Sequence, residues 1–383
     1  MPTRRQTLAM IGGGVIVAAG AGGYAITRTP KAALAPWNMA GQYADPRKRA
    51  LSWAILSPNP HNRQPWLVDL SVPDHVGLYV DTERLLPHTD PFSRQITIGL
   101  GCFLETLRIA AAQEGFRTQV DLFPEGSDPK ALDARPVALI RFEAGAAITD
   151  PLFAYIPERR TQKEPYDTSR PILSKILSDL TGALSSELSA GLRVDASIAP
   201  ESIALHRQLS EEALLVEIET PHTFKESVDL FRIGHREVNA NPDGIDFSGP
   251  LFETLHLTRQ FTREKALEPA SLAYKSGIDA VMANVRTAMG HIWLTSRGNT
   301  RADQIASGAA WMRLNLHCTR LGLSTQPLSQ ALQEYPEMAK HYKHVHELLA
   351  EPGETVQMWA RLGYSPDVPP SPRWPLDAKI VNA

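Results

Sequence analysis

The sequence predicts an α+β protein made of two related halves, and three paired features carry that prediction. Two helices run from glycine to glycine at one spacing, Gly101 to Gly115 and Gly308 to Gly322. Leu104, Leu107 and Ala111 in one, and Trp311, Leu314 and Cys318 in the other, recur at helical period. Each helix is followed by a strand-like run bearing an arginine, residues 137–142 with Arg141 and residues 356–364 with Arg361. Each is preceded by a short alternating strand, at 66–70 and at 192–196. Glycines flank many helices, but three matched elements in one order favour a duplication. The halves divide near residue 150, giving 36–150 and 151–383, and the second carries a mostly helical, polar insertion at about 200–285. Such a pair behaves as a fused dimer, so a monomer can hold a ligand at its own pseudo-twofold interface.

Composition narrows the function. Of the 383 residues 43% are hydrophobic and 21% charged, enough for a large core. Thirty-nine basic against 42 acidic residues leave a net charge of -3, without a whole-chain footprint for nucleic acid. Cys102 and Cys318 allow one bridge at most, which excludes a disulfide scaffold, a four-cysteine zinc site and a cysteine-ligated iron–sulfur cluster. Thirty prolines argue against a long bundle or coiled coil. No G-x-S-x-G elbow or Walker loop is present, so hydrolase and NTPase readings have no anchor. His341 and His344 can share a helix face while His346 points elsewhere and no carboxylate completes a set; a solvated helix is expected there, with no metal site.

The first 35 residues read as an address. Arg4 and Arg5 stand before a charge-free run from Leu8 to Ile26, the pattern of a twin-arginine export signal, which carries folded cargo. This predicts a periplasmic protein. Ala33-Leu34-Ala35 offers a cleavage site directly before Pro36; without cleavage the run would anchor the protein in the inner membrane, its only membrane contact. Residues 20–25 also satisfy the GxGxxA dinucleotide fingerprint, with Asp45 about twenty residues on. Thr29-Pro30 and Ala35-Pro36 break the helix that motif requires, so the signal reading wins.

Two segments carry the candidate chemistry. Residues 57–66, Ser57-Pro58-Asn59-Pro60-His61-Asn62-Arg63-Gln64-Pro65-Trp66, form a proline- and asparagine-fixed turn between a short helix and a strand. Residues 157–166 hold Arg159, Arg160, Thr161 and Lys163, a compact set of oxyanion donors that, standing alone, would read as a solvated charge run. Residues 235–244 form a polar turn after a helix, read as a plain loop or as a border of the site.

Together these motifs resemble the nitroreductase-like flavoproteins, and within them the double-length branch of mycobacterial Acg-type proteins. The turn is similar to that branch's A-P-S-x-H-N-x-Q-P-W, through Pro58, His61, Asn62, Gln64, Pro65 and Trp66, with Asn59 replacing the serine. The second segment resembles the R-R-[ST]-x-R start, with Lys163 for the last arginine. Residues 321–329 resemble the G-L-x-x-x-P-I segment through Pro327, Leu328 and Ser329, and residues 371–376 the C-terminal phosphate-binding segment through Arg373. The resemblance covers about residues 40–380 and implies a nitroreductase-like fold, a tandem pseudo-dimer, with FMN as cofactor. It implies one complete FMN site, because the first half supplies only the turn. The phosphate would lie on Arg159, Arg160, Thr161 and Arg373, the ring edge against Pro58, Asn59 and Asn62, and the flavin N5 near the backbone of Leu328 and Ser329.

The implied activity is hydride or electron transfer from a donor to a small-molecule acceptor, with no assigned catalytic residue. Export predicts a quinone or a protein as donor, since soluble NAD(P)H is not expected outside the cytoplasm. The alternative is FMN binding or storage with little turnover, should the insertion fold as a lid over the ring.

Overall fold

The computed structural model describes residues 28–145 and 147–383. The twin-arginine pair, the apolar run and the glycine fingerprint lie outside the described residues. The first half supplies strands β1 (Trp66–Asp69), β2 (His75–Val80), β3 (Phe116–Leu122) and β4 (Ala138–Ala144). The second supplies β5 (Leu192–Ser197), β8 (Gly290–Ser296), β9 (Ser324–Pro327) and β10 (Thr355–Gly363). The first sheet runs β11-β1-β2-β4-β3 and the second β5-β8-β10-β9, so both contain the same antiparallel order: first, second, fourth, third. In each half a twenty-residue helix joins the second strand to the third: α3 (Arg94–Gln113) and α11 (Arg301–Arg320). The strands expected at 66–70, 137–142, 192–196 and 356–364 all form, and the duplication is real.

The two long helices pack against each other at the centre, which is why α3 is buried nearly all round. Gly101 and Gly308 face one another across this contact: a Cβ on Gly101 would stand 2.9 Å from the Gly308 Cα and 2.2 Å from the Ile305 carbonyl oxygen. The helices end on Gly115 and Gly322 with φ of 83° and 66°, the left-handed geometry that glycine takes freely. At their starts the halves exchange arms. Arg94 donates to the Leu332 and Gln357 carbonyls of the second half, and Arg301 to Thr97 and the Asp128 carbonyl of the first. Cys102 and Cys318 are both free and buried.

Two segments cross the boundaries the sequence suggested. β11 (Ile380–Asn382), at the end of the second half, joins the first sheet parallel to β1. Helix α1 (Lys31–Met39) spans residue 35 and contains Pro36, so Ala35-Pro36 does not end a helix; Ala33 and Pro36 face inward. After α1 come α2 (Pro46–Ala54) in the first half and α4 (Ser174–Ser185) in the second.

The insertion occupies the place of the short β1–β2 turn. It comprises α5 (Pro200–Glu219), α6 (Pro221–Asp229), α7 (His235–Ala240), α8 (Pro250–Leu257), α9 (Arg263–Leu267) and α10 (Leu272–Arg286). Two short parallel strands, β6 (Phe231–Ile233) and β7 (Ile245–Phe247), sit among them. Leu209, Leu214 and Met282 of the insertion share a core with Leu328, Trp359 and α12 (Ala339–Leu349). The insertion is therefore bonded to the body along an apolar seam, not suspended on a linker.

Candidate functional site

The turn at 58–64 is strained, and its strain is held from several sides. His61, Asn62 and Gln64 have φ of 47°, 52° and 50°, each costing about 1–3 kcal/mol for a non-glycine residue. The Gln64 amide N–H donates to Asn59 Oδ1 at 2.7 Å, and Asn59 Nδ2 to the Ser57 carbonyl, so the Asn59 side chain serves the turn itself. Asn62 Nδ2 donates to the Pro372 carbonyl, and the fully buried Gln64 accepts from the Trp374 N–H and donates to the Pro242 carbonyl. The tail and the insertion thus fix the turn's shape. Pro58 is half-buried at its start.

Arg373, 2% exposed, lies beneath the turn. Its Nε donates to the Ile55 carbonyl, Nη2 to the Leu56 and Ser57 carbonyls, and Nη1 to Asn62 Oδ1 at 2.6 Å. Its donors are engaged with protein, so Arg373 shapes the turn and adds charge. Arg159 reaches the same Leu56 carbonyl through Nη2, while its Nη1 is buried without a partner. Arg160 donates to the Pro157 and Arg159 carbonyls through Nη1, and its Nε is likewise buried and unpartnered. The segment is no solvated charge run: Arg159 is only 3% exposed.

Burial, then the neighbouring arginines, push Arg373 down to about 9. Burial, then Arg160, push Arg159 down to about 10. Among the described residues the three guanidinium groups donate to carbonyl oxygens and to Asn62 Oδ1, and only Arg160 has acidic neighbours, Asp367 and Glu158, which offset part of the lowering that burial imposes on it. Three such cations side by side create a positive well that an anion would neutralise.

The strand behind this cluster is held by Arg361, which is fully buried in β10. It donates to Gln326 Oε1 at 2.6 Å and to the Asn284, Gln162 and Glu164 carbonyls, with its guanidinium 3.7 Å from the centre of the Tyr166 ring. Gln162 donates its N–H to the Thr325 carbonyl of β9, tying the arginine segment to the strand that ends at Pro327. Gln162 Oε1 and Thr325 Oγ1 are buried without partners, as are the two free arginine nitrogens. Thr161 lies between them, half-buried.

Leu328 is buried, and its N–H donates to the Trp359 carbonyl at 2.7 Å. That amide is therefore engaged with β10. Ser329 begins the short 3-10 turn at 330–332. His61 is pushed down to about 4 by burial, then by Lys163 and Arg63, and stays neutral at neutral pH. Lys163 is lowered by burial, partly offset by Asp246, and Asp246 is raised by burial against the pull of Lys163. Lys163 and Asp246 keep exposed surface yet are crowded by protein, as groups on a concave wall are. Residues 241–246 thus border the site: Gly244 donates its N–H to the Asn62 carbonyl, and Asp243 pairs with Arg84 and Arg232.

All four sequence-predicted segments meet here. Sequence reasoning missed Arg361 as an organiser, Asp246, and Trp37, whose ring lies 4.7 Å from the Arg160 guanidinium. The available signal for Arg361 was a lone charged residue in a mostly apolar strand. Among the described residues no cluster of three metal-ligating side chains occurs; His346 Nδ1 faces the Tyr342 carbonyl and His341 lies beside Glu212.

Comparison with known proteins places relatives along nearly the whole chain. It is 25% identical over 357 residues to the Mycobacterium tuberculosis protein named "Putative NAD(P)H nitroreductase acg", covering 86% of this chain and 93% of that one. It is 27% identical over 347 residues to "Uncharacterized protein Rv3127" of the same species, covering 87% and 92%. Among solved structures, a nitroreductase with bound FMN from Desulfitobacterium hafniense DCB-2 aligns over 62% of this chain and 100% of its own at 12% identity and a TM-score of 0.36. That score decides nothing about this chain. No protein-family model matches it. The chain is thus similar, over 86–87% of its length, to a protein named as a putative NAD(P)H nitroreductase and to one named as uncharacterized.

Proposed function

We propose that this protein is an FMN-dependent oxidoreductase of nitroreductase-like fold, with one flavin site per chain. The observation that carries the reading is the arginine cluster, with Arg159 and Arg373 buried and hydrogen-bonded to no carboxylate, together with four buried, unpartnered polar atoms: Arg159 Nη1, Arg160 Nε, Gln162 Oε1 and Thr325 Oγ1. These fit a phosphate ester with neighbouring hydroxyls, the polar half of FMN. Arg159, Arg160 and Thr161 would hold the phosphate, Arg373 would set the turn and add charge, and Pro58, Asn59, Asn62 and Pro327 would border the ring. Bound FMN would supply a hydride acceptor at its N5 atom. His61, neutral, and Lys163 would meet the flavin without an obligate proton transfer, and Gln64 would keep the turn in its left-handed geometry.

The name of the first relative suggests NAD(P)H as donor. Twin-arginine export to the periplasm would instead call for a quinone or protein donor and an FMN loaded before export. A second reading, flavin storage beneath a lid, is favoured by one observation: the insertion bonds directly to the turn at Asn62 and Gln64.

One experiment separates these. The purified chain, examined for a flavin absorption band, is mixed anaerobically with NADH, NADPH and a reduced quinone. Bleaching by any donor is expected of the oxidoreductase; a band that yields only to dithionite supports storage; no flavin after incubation with FMN refutes both. Replacing Arg159 and Arg160 together with Ala should abolish retention, since charge-assisted hydrogen bonds contribute about 1.5–3 kcal/mol each.

A further inference from the structure

The segment that the sequence assigns to the tail of an export signal is part of the binding site's wall. Helix α1 is clamped between the tail and the insertion: the Ala33 carbonyl accepts from the Arg373 N–H at 2.8 Å, and the Ala33 N–H donates to Asn239 Oδ1 at 3.0 Å. Ala33 is 1% exposed. One turn on, Trp37 donates its indole N–H to the Ser371 carbonyl at 2.8 Å. Its ring lies 4.7 Å from the Arg160 guanidinium and 5.6 Å from that of Arg373. A ring face attracts cations through its quadrupole without neutralising them. Trp37 therefore holds two guanidinium groups while leaving their charge available to an anion, which a carboxylate in the same place would not do.

We propose that Trp37 is a positioning residue for the phosphate-binding arginines, and that α1 is a strap belonging to the mature body. This rests on the flavin reading above and adds to it. One consequence concerns processing. Cleavage after Ala35 would sever α1 and remove Ala33, so a processed protein that keeps its cofactor is cut before α1 begins at Lys31.

The test measures FMN and riboflavin affinities of the full chain, Trp37→Leu and Trp37→Phe, with thermal melts to check folding. Riboflavin lacks the phosphate, so it reports the ring site alone. Trp37→Leu should weaken FMN about 10-fold with riboflavin unchanged, and Trp37→Phe should restore most of the loss. Deleting residues 1–27 should leave FMN affinity unchanged, while deleting 1–35 should lower it at least as far as Trp37→Leu. Equal losses for both flavins, or no loss, would overturn the role of Trp37 and leave the flavin reading standing. An unaltered chain that binds neither flavin would instead overturn the flavin reading, and this inference with it.

Discussion

Replacing Gly308 with Ala tests the architecture at its tightest point. The added Cβ would stand 2.0 Å from the Ile98 carbonyl oxygen, 2.8 Å from the Gly101 Cα and 2.9 Å from the Cys102 nitrogen. Non-bonded heavy atoms settle at about 3.5–4.0 Å, so α3 and α11 would have to separate by roughly 1.5 Å. The obstructing atoms are backbone in buried helices and have no rotamer to escape into. Overpacking of this kind costs about 1–3 kcal/mol, occasionally more. It is opposed by the gain of about 0.5–1 kcal/mol from Gly to Ala in a helix interior. A net loss of up to about 2.5 kcal/mol is expected, or about 1–3 kcal/mol relative to a glycine-to-alanine change with no clash, read as a lower urea midpoint with an unchanged slope. Gly182→Ala is the control: its Cβ would meet nothing within 4 Å, so that change should be neutral or stabilising. A Gly308→Ala protein as stable as the Gly182→Ala protein would refute the close helix crossing, and with it the fused-dimer core.

Two further outcomes follow from the site and the tail. Arg361→Met should strip the Gln162, Glu164 and Asn284 carbonyls of their shared donor; the expected result is a loss of several kcal/mol in stability, about 1–3 per unsatisfied group, together with weakened FMN retention, measured by denaturation and by flavin fluorescence. Lys379, buried with its ammonium on the Gln64 carbonyl, is pushed down to about 7, by burial first and then by Arg84. The native state then binds fewer protons than the unfolded chain from about pH 7 up to the ordinary lysine range, so stability rises with pH across that window, by at most about 1.4 kcal/mol per unit. Lys379→Met should abolish this rise in pH-dependent unfolding, and an unchanged slope would refute the burial argument.

The repeat was legible because its markers are local. A glycine that ends a helix and a glycine that lets two helices touch leave a fixed spacing in the sequence, and Gly101, Gly115, Gly308 and Gly322 do both jobs. The turn at 57–66 and the run at 159–163 were legible as motifs, but their meeting was not. It depends on Arg373 and β11 crossing back to the first half, which no periodicity records. Helix α1 was misjudged because Pro36 argues against a helix locally, whereas bonds to Asn239, Ser371 and Arg373 decide the matter at long range. The partners of Arg361 likewise come from several distant segments, and its strand run showed only that an arginine was there.

The central claim is that one flavin site is assembled from both halves of a single chain. Titration of the purified full chain with FMN, followed by flavin fluorescence and checked by equilibrium dialysis, measures this directly. Saturation at one FMN per chain is expected, lost in the Arg159→Ala, Arg160→Ala double variant. Saturation at two per chain, or no binding, would contradict it.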